Sequence, residues 1–348
     1  MASMKDISVA CGVSVATVSK ALNDHADIGE ETKLHIRQVA KEMGYFPNLS
    51  ARALKTNRTY NLGVLFADES RSGLTHDYFA NVLDSFRLYA ESQGYDITFL
   101  NCSKTRKNRL SYLEHSRYRG LDGIVIACID FKDVEVIELL QSPLPVVTID
   151  HVFSERITVA SDNIRGMREL LSYIYEMGHR RIAYIHGDDT SVTRDRLSSF
   201  YRVSEELGIT VPDSYVLPAA YRDMRRAAQQ TERLLKQKEC PTCIIYPDDF
   251  AAVGGINCLK GKGLRIPEDI SVAGYDGLHI ASQLEPILTT VRQDTQTIGT
   301  TAAKKLIELI EHPKTTLIEH ITVPGELARG GTVGRLRKLQ AMNGKNIK

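Results

Sequence analysis

The chain has 348 residues, 43% of them hydrophobic and 25% charged, which is the balance of a globular protein with room for a small module and a larger body. No apolar run approaches a membrane span and no signal-peptide pattern opens the chain, so we expect a cytoplasmic protein whose six cysteines are thiols. The net charge of +1 hides basic ends: residues 1–60 hold eight Lys/Arg against six Asp/Glu, and residues 329–348 hold six Lys/Arg and no acid. This distribution is compatible with nucleic-acid binding but too weak to establish it.

The first sixty residues are predicted to form short helices. The stretch CGVSVATVSKALN could be a buried strand or a turn followed by a helix, and its neighbours decide between the two. Ser3 and Asp6 fit a capping box, Gly12 ends that helix, and Ser14 can cap a second one. A third helix is predicted from about Glu30 to Gly44, with apolar residues at helical spacing. Residues 56–60 are polar and are interpreted as a linker.

From Asn61 onward, short apolar runs alternate with longer amphipathic segments. The runs are GVLFA (63–67), ITFL (97–100), GIVIACI (123–129), PVVTI (145–149), RIAYIHG (181–187), CIIYP (243–247) and ISVAGYD (270–276). Buried strands that alternate with helices indicate parallel sheets covered by helices on both faces. Seven or more strands would strain one sheet, so the pattern predicts an α/β body of two doubly wound lobes.

These segments together resemble the lactose/galactose-repressor (LacI/GalR) family of bacterial transcription regulators. The resemblance rests on KDISVACGVSVATVSKALN, EETKLHIRQVAKEMGYFPN and SARAL, and in the body on GHRRIAYIHG, GLRIPEDISVAGYD and LTTVRQD. It implies a helix-turn-helix domain over residues 1–47, a hinge helix and linker over 48–60, and a periplasmic-binding-protein-like body for effector binding and dimerisation over 61–348. The lobes would comprise about 61–160 with 290–320, and about 161–289 with 321–335.

The resemblance makes CGVSVATVSKALN the turn and recognition helix of the helix-turn-helix. Such a helix presents its N-terminal residues to base edges in the major groove. Val15 and Ala16 are then expected to contact bases, Thr17 and Ser19 to reach phosphate, and Lys20 to reach a base or the backbone. The alternative is a helical hairpin within an ordinary fold.

The segment NLSARALK corresponds to a hinge helix that folds on DNA and enters the minor groove. Asn48, Ala51 and Leu54 are its predicted contact residues, with Leu54 wedging the central base step. A second interpretation is that Leu54 only packs the linker against the body.

The resemblance also implies a ligand-binding cleft between the lobes. Its residues are assigned from the motifs that match the family. The expected effector contacts are Tyr78, Phe79, Asp150, Arg196, Tyr221, Asp248 and Asp276. Carboxylates and a planar guanidinium suit the hydroxyl pairs of a sugar or sugar derivative. Each acid could instead be a solvated surface residue or a helix cap. Asp248, Gly277 and Ser199 depart from the family pattern and leave the identity of the ligand open.

The remaining motifs are weak. Cys240 and Cys243 form a CxxC with no partner motif for zinc, and the sequence holds no P-loop, HExxH or nucleophile elbow. We therefore expect no metal, no cofactor and no enzymatic activity. The prediction is a homodimeric, effector-controlled DNA-binding regulator, more specifically a repressor, acting on a palindromic operator. The alternatives are a sugar-binding module without a DNA-dependent role and, third, an enzyme.

Overall fold

The computed structural model describes residues 2–45, 58–67, 73–100 and 110–336. The chain divides into two compact units, Met1–Thr59 and Tyr60–Lys348. The predicted hinge residues Asn48, Ala51 and Leu54 lie outside the described residues. Among the helices that the structure describes, none is long and apolar enough to cross a membrane.

Residues 2–45 of the first unit form three helices around a small apolar core. The helices are α1 (Met4–Cys11), α2 (Val15–Leu22) and α3 (Glu30–Glu42). Ile7, Val18, Ala21, Ile36 and Ala40 are buried between them and form one cluster. This arrangement confirms the predicted helices and removes the buried-strand interpretation of CGVSVATVSKALN.

The helix ends of this unit follow from their capping residues. Ser3 and Asp6 form the predicted capping box at α1, and Gly12 ends the helix with φ of 65°, in the left-handed region that glycine adopts at low cost. The Ser14 side chain accepts a hydrogen bond from the Thr17 amide and caps α2, which begins at the next residue, Val15. The tight turn at Gly12 is what permits two short helices to pack on each other.

The second unit alternates helices and strands. Its strands are β1 (Asn61–Phe66), β2 (Asp96–Phe99), β3 (Gly123–Ala127), β4 (Val146–Ile149), β5 (Ile157–Ser161), β6 (Ile182–His186), β7 (Val216–Pro218), β8 (Cys243–Ile245), β9 (Ser271–Ala273), β10 (Thr290–Arg292), β11 (His320–Val323) and β12 (Glu326–Ala328). Its helices are α4 (Asp77–Ser92), α5 (Tyr112–Tyr118), α6 (Val134–Gln141), α7 (Asn163–Glu176), α8 (Ser191–Glu206), α9 (Met224–Leu235), α10 (Asp249–Gly261), α11 (His279–Gln283) and α12 (Thr295–Glu311).

The first lobe is a six-stranded sheet in the order β11-β5-β4-β3-β1-β2, with every neighbouring pair parallel. Helices α4 and α12 cover one face and bury a cluster that includes Val82, Phe86 and Leu306. The two helices approach closely at Gly299, where a Cβ atom would lie 2.1 Å from the Val82 carbonyl oxygen. The other face is covered by α5 and α6.

The second lobe is a four-stranded parallel sheet in the order β7-β6-β8-β9. One face packs against α9 and α10, and the other against α7 and α8. An antiparallel ribbon of β10 and β12 belongs with this lobe, because β10 bridges to the segment after β9 at Asp276↔Arg292. The two parallel sheets confirm the predicted α/β class.

The chain passes between the lobes three times, after β5, after β10 and after β11. The lobe boundaries differ from the expected ones at two of these crossings. Strand β10 lies with the second lobe although residues from 290 were expected in the first, and β11 extends the first sheet to Val323 although residues from 321 were expected in the second. The Asp162 amide donates to the Val323 carbonyl over 2.8 Å, so two crossings lie side by side.

Candidate functional site

The predicted recognition helix is α2, and its N-terminal side chains are accessible. Val15 is 43% exposed and Ala16 is also exposed, whereas Val18 is buried in the core of the first unit. Thr17 and Ser19 are partly buried. The helix therefore packs through one face and presents Val15 and Ala16 on another, as base contact in a groove requires.

The polar residues of α2 already have partners within the unit. The Thr17 hydroxyl lies 2.9 Å from the Ser14 hydroxyl, and Lys20 forms an ion pair with Asp27. Both members of that ion pair are about half exposed, so it is of the surface type that contributes little to stability. Its ammonium is thus accessible for exchange from Asp27 to a nucleic-acid acceptor.

On the first lobe, Tyr78 and Asp150 form one hydrogen-bonded pair. The Tyr78 hydroxyl donates to Asp150 Oδ2 over 2.7 Å, and the Ser161 amide donates to Asp150 Oδ1 over 3.2 Å. Burial and the charge of Asp150 raise the pKa of Tyr78 well above its ordinary value, and the Asp276 carboxylate of the second lobe adds to this effect. Tyr78 stands in the first turn of α4.

On the second lobe, Arg196 is held inside the fold by three separate segments. The side chain is 2% exposed; Nε donates to Asn163 Oδ1 over 2.7 Å, and Nη1 donates to the Pro247 carbonyl over 2.8 Å. Its guanidinium carbon lies 3.5 Å from the centroid of the Tyr275 ring. This positions Nη2 3.6 Å from Asp276 Oδ1, with the planar group fixed in orientation.

Asp276 follows β9 at the carboxyl end of the second sheet. Its Oδ1 accepts a hydrogen bond from Gln293 Nε2 over 2.6 Å, and its side chain is 11% exposed. Burial raises the pKa of Asp276 to about 7; the Arg196 charge opposes this rise, and the Asp248 and Asp150 carboxylates reinforce it. The acids of the two lobes therefore act on one another electrostatically, as groups facing a common space do.

The other residues of the predicted set differ in how they are placed. The Tyr221 hydroxyl lies 2.8 Å from the Thr193 hydroxyl, which places the ring next to the first turn of α8. Asp248 is the N-cap of α10 and accepts hydrogen bonds from the Ala251 and Arg222 amides, so the helix-cap alternative describes its contacts. Phe79 packs in an aromatic group with Phe66, His76 and Tyr78.

Sequence reasoning assigned no role to several residues that hold this site together. Asp249 is fully buried and accepts hydrogen bonds from the Thr290 hydroxyl and the Leu278 amide, each over 2.7 Å. Asn163 and Gln293 position Arg196 and Asp276 directly. The motifs PDDF and LTTVRQD contain Asp249 and Gln293, but neither motif indicates what its polar residue contacts.

Two of the predicted acids have unusual backbone geometry. Asp150 has φ of 58° and Asp276 has φ of 97°, in the left-handed region that non-glycine residues seldom adopt. Such conformations persist where the surrounding structure enforces them, and they concentrate at binding sites. Both acids stand at the carboxyl ends of strands, where ligands of α/β folds bind.

Comparison with known proteins agrees with these two units. Residues 3–48 match the bacterial regulatory proteins of the lacI family, and residues 171–333 match the periplasmic binding protein-like domain. The chain is 30% identical over 316 residues to the HTH-type transcriptional repressor PurR of Haemophilus influenzae (strain PittEE), with 90% of this chain and 92% of that protein covered. It is 29% identical over 318 residues to the probable HTH-type transcriptional repressor ExuR of Bacillus subtilis (strain 168), with 90% and 93% covered.

A solved structure extends the agreement to the fold of nearly the whole chain. The lac repressor dimer bound to operator and the anti-inducer ONPF superposes with a TM-score of 0.78 at 22% identity, covering 96% of this chain and 99% of that one. PurR is an HTH-type transcriptional repressor and ExuR a probable one. On the identity and coverage of its relatives, the chain belongs to the lacI family of bacterial regulatory proteins, as a transcriptional regulator with a helix-turn-helix unit and a ligand-binding body.

Proposed function

We propose that this protein is a cytoplasmic repressor whose operator binding is controlled by a sugar or sugar derivative bound between the two lobes. One observation carries the effector part of the proposal. Tyr78 and Asp150 of the first lobe and Arg196 and Asp276 of the second are buried or nearly so, and each has partners that fix its orientation. Charged groups are placed in this way where a polar ligand replaces water.

The chemistry of these groups suits hydroxyl recognition. A carboxylate accepts from a hydroxyl and a guanidinium donates to one, so a vicinal pair of hydroxyls can satisfy Asp276 and Arg196 together. Tyr221, whose hydroxyl lies beside that of Thr193, supplies an aromatic ring that can pack on the C–H face of a sugar ring. Asp150 and Tyr78 offer an acceptor and a hydroxyl from the opposite lobe.

For the DNA side, we propose a homodimer on a palindromic operator. Val15 and Ala16 would contact bases, with Thr17, Ser19 and Lys20 on the phosphates or an adjacent base. Asn48, Ala51 and Leu54 would form the minor-groove hinge, a role that the family resemblance alone supports. A second candidate is a sugar-binding module without a DNA-dependent role; the exposed N-terminal face of α2 favours the repressor.

Selection of purified protein on random duplex DNA tests this proposal, with and without D-ribose, D-glucose, cellobiose and glucose 6-phosphate. Enrichment of a palindrome that one of these sugars abolishes or creates is expected. The R196Q variant should enrich the same palindrome but lose the sugar response, because the substitution leaves the first unit intact and removes a guanidinium from the proposed effector site. Arg168 provides a matched control, since it pairs with Glu206 on the exposed surface of the same lobe. No enriched palindrome in any condition would contradict the repressor assignment.

A further inference from the structure

Arg222 spans the two lobes at the edge of the cleft. It lies in the second lobe, between β7 and α9, and its Nη2 donates to the Thr75 carbonyl of the first lobe over 3.2 Å. Its Nη1 lies 3.5 Å from Oδ2 of Asp77, the first residue of α4. The guanidinium therefore contacts the segment that leads directly into Tyr78.

The Arg222 guanidinium also packs on an aromatic ring. The guanidinium carbon lies 4.3 Å from the centroid of the Phe250 ring, within the range of a cation–π contact. Phe250 belongs to α10 of the second lobe but packs against the apolar cluster of the first lobe. Arg222 and Phe250 together thus connect the two lobes by polar and apolar contacts.

Within the second lobe, the Arg222 backbone is tied to a cleft residue. Its amide donates to Asp248 Oδ2 over 2.7 Å, and its φ of 61° is left-handed. This conformation is costly for arginine and is enforced here by the Asp248 contact on one side and α9 on the other. A ligand that moves the Asp248 carboxylate would therefore move the base of the Arg222 side chain.

In this conformation the ion pair between Arg222 and Asp77 is not fully formed. Nη1 of Arg222 is buried and has no hydrogen-bond partner among the residues that the structure describes, and its 3.5 Å separation from Asp77 exceeds the length of a good charge-assisted hydrogen bond. A relative movement of the lobes by less than about 1 Å would bring the pair to the usual 2.7–2.9 Å. A buried donor without an acceptor is unfavourable, so closure by that distance would be stabilised.

We propose that Arg222 is a positioning residue of the effector response: its ion pair with Asp77 completes when a ligand draws the lobes together and holds the entrance of the cleft closed. This inference rests on the proposed effector cleft. Arg222 does not itself need to touch the ligand, since Asp248 on one side and Tyr78 on the other connect it to the cleft residues.

Hydrogen exchange of the full-length protein tests the pair without knowledge of the effector. The peptide to follow covers residues 73–86, where the Ala80 amide bonds to the His76 carbonyl over 2.7 Å. R222Q and D77N should each speed exchange there by about threefold or more, and the double variant should add little to either single change, because both remove one interaction. D77E should retain protection, and R168Q should leave the peptide unchanged.

Ligand binding is measured separately on the same variants, by calorimetry with D-ribose, D-glucose, cellobiose and glucose 6-phosphate. A sugar that binds should bind R222Q and D77N more weakly than wild type, by a similar factor in each. Unchanged exchange in both variants, or full additivity in the double variant, would overturn the proposal. If R222Q disturbs exchange throughout the second lobe, D77N on the first lobe decides the matter. Expected exchange results without binding of any sugar would leave the interlobe pair standing and count against the proposed effector class.

Discussion

Asp276 should make the stability of the body depend on pH in an unusual direction. Its pKa rises from an ordinary 3.8 to about 7 in the fold, chiefly because the carboxyl is buried. The folded protein therefore holds a proton that the unfolded chain releases above about pH 4, and folding becomes less favourable as the pH rises to about 7. The full difference corresponds to about 4 kcal/mol, of which about 3 kcal/mol falls between pH 5 and pH 8.

The D276N variant isolates this contribution, since an amide does not titrate. Urea unfolding of wild type and variant at pH 5, 6, 7 and 8 should show the variant gaining about 3 kcal/mol relative to wild type across this range. Burial and the charge of Asp276 raise the pKa of Asp249, so the same comparison in a D249N background separates the two carboxyls. The matched control is D269N: hydrogen bonds from Arg265 lower the pKa of Asp269 to about 2, so it is ionised in both states above pH 5. A stability difference between D276N and wild type that stays constant from pH 5 to pH 8 would refute the reasoning.

Three further substitutions test other parts of the molecule. I36A truncates a fully buried side chain in the small core of the first unit and should lower its free energy of unfolding by about 2–5 kcal/mol. The first unit should lose its helical signal while the unfolding transition of the body is retained. An unchanged transition of the first unit would contradict this. D249A leaves the Thr290 hydroxyl and the Leu278 amide without their acceptor, so the free energy of unfolding of the body should fall by about 1–3 kcal/mol in urea. D269A is the comparison at the surface. Equal losses in the two variants would argue against a stabilising role of these two hydrogen bonds. L54A should lower the affinity for the specific operator, while salt-dependent nonspecific DNA binding persists. Both affinities are measured by titration at two salt concentrations. Specific binding equal to that of wild type would exclude the proposed role of Leu54 as a wedge in the minor groove.

Most of the strands that sequence reasoning identified are buried on both faces, although the predicted β2 is an exposed edge strand and the buried β5 was missed. Residues 123–127 and 146–149 read as continuous apolar runs because helices cover both sides of the sheet at β3 and β4. Strands β7 and β11 were missed because they are short edge strands with exposed or polar positions, as in HITV. Their place in the sheets depends on neighbours distant in the chain, which no local pattern contains.

The candidate site was predictable in its residues and not in its contacts. The motifs named Arg196 and Asp276, but the hydrogen bonds that orient them come from Asn163 and Gln293 on other segments. The sequence also left Asp248 open between a ligand contact and a helix cap, and the geometry shows the cap. Arg222 escaped notice because its partners belong to the opposite lobe, and only the juxtaposition of the lobes brings them within reach.

The three crossings between the lobes have a consequence for synthesis on the ribosome. Strands β1–β5 of the first lobe are complete at Ser161, yet α12 and β11, which cover and extend their sheet, end only at Glu311 and Val323. At 5–20 residues per second, roughly ten to thirty seconds of translation separate Ser161 from Val323. During that interval the apolar face that later meets α12 is without its cover and the edge of β5 is without its neighbour, whereas the second lobe is made almost without interruption. We therefore expect the second lobe to fold first and the nascent first lobe to be the part that chaperones bind.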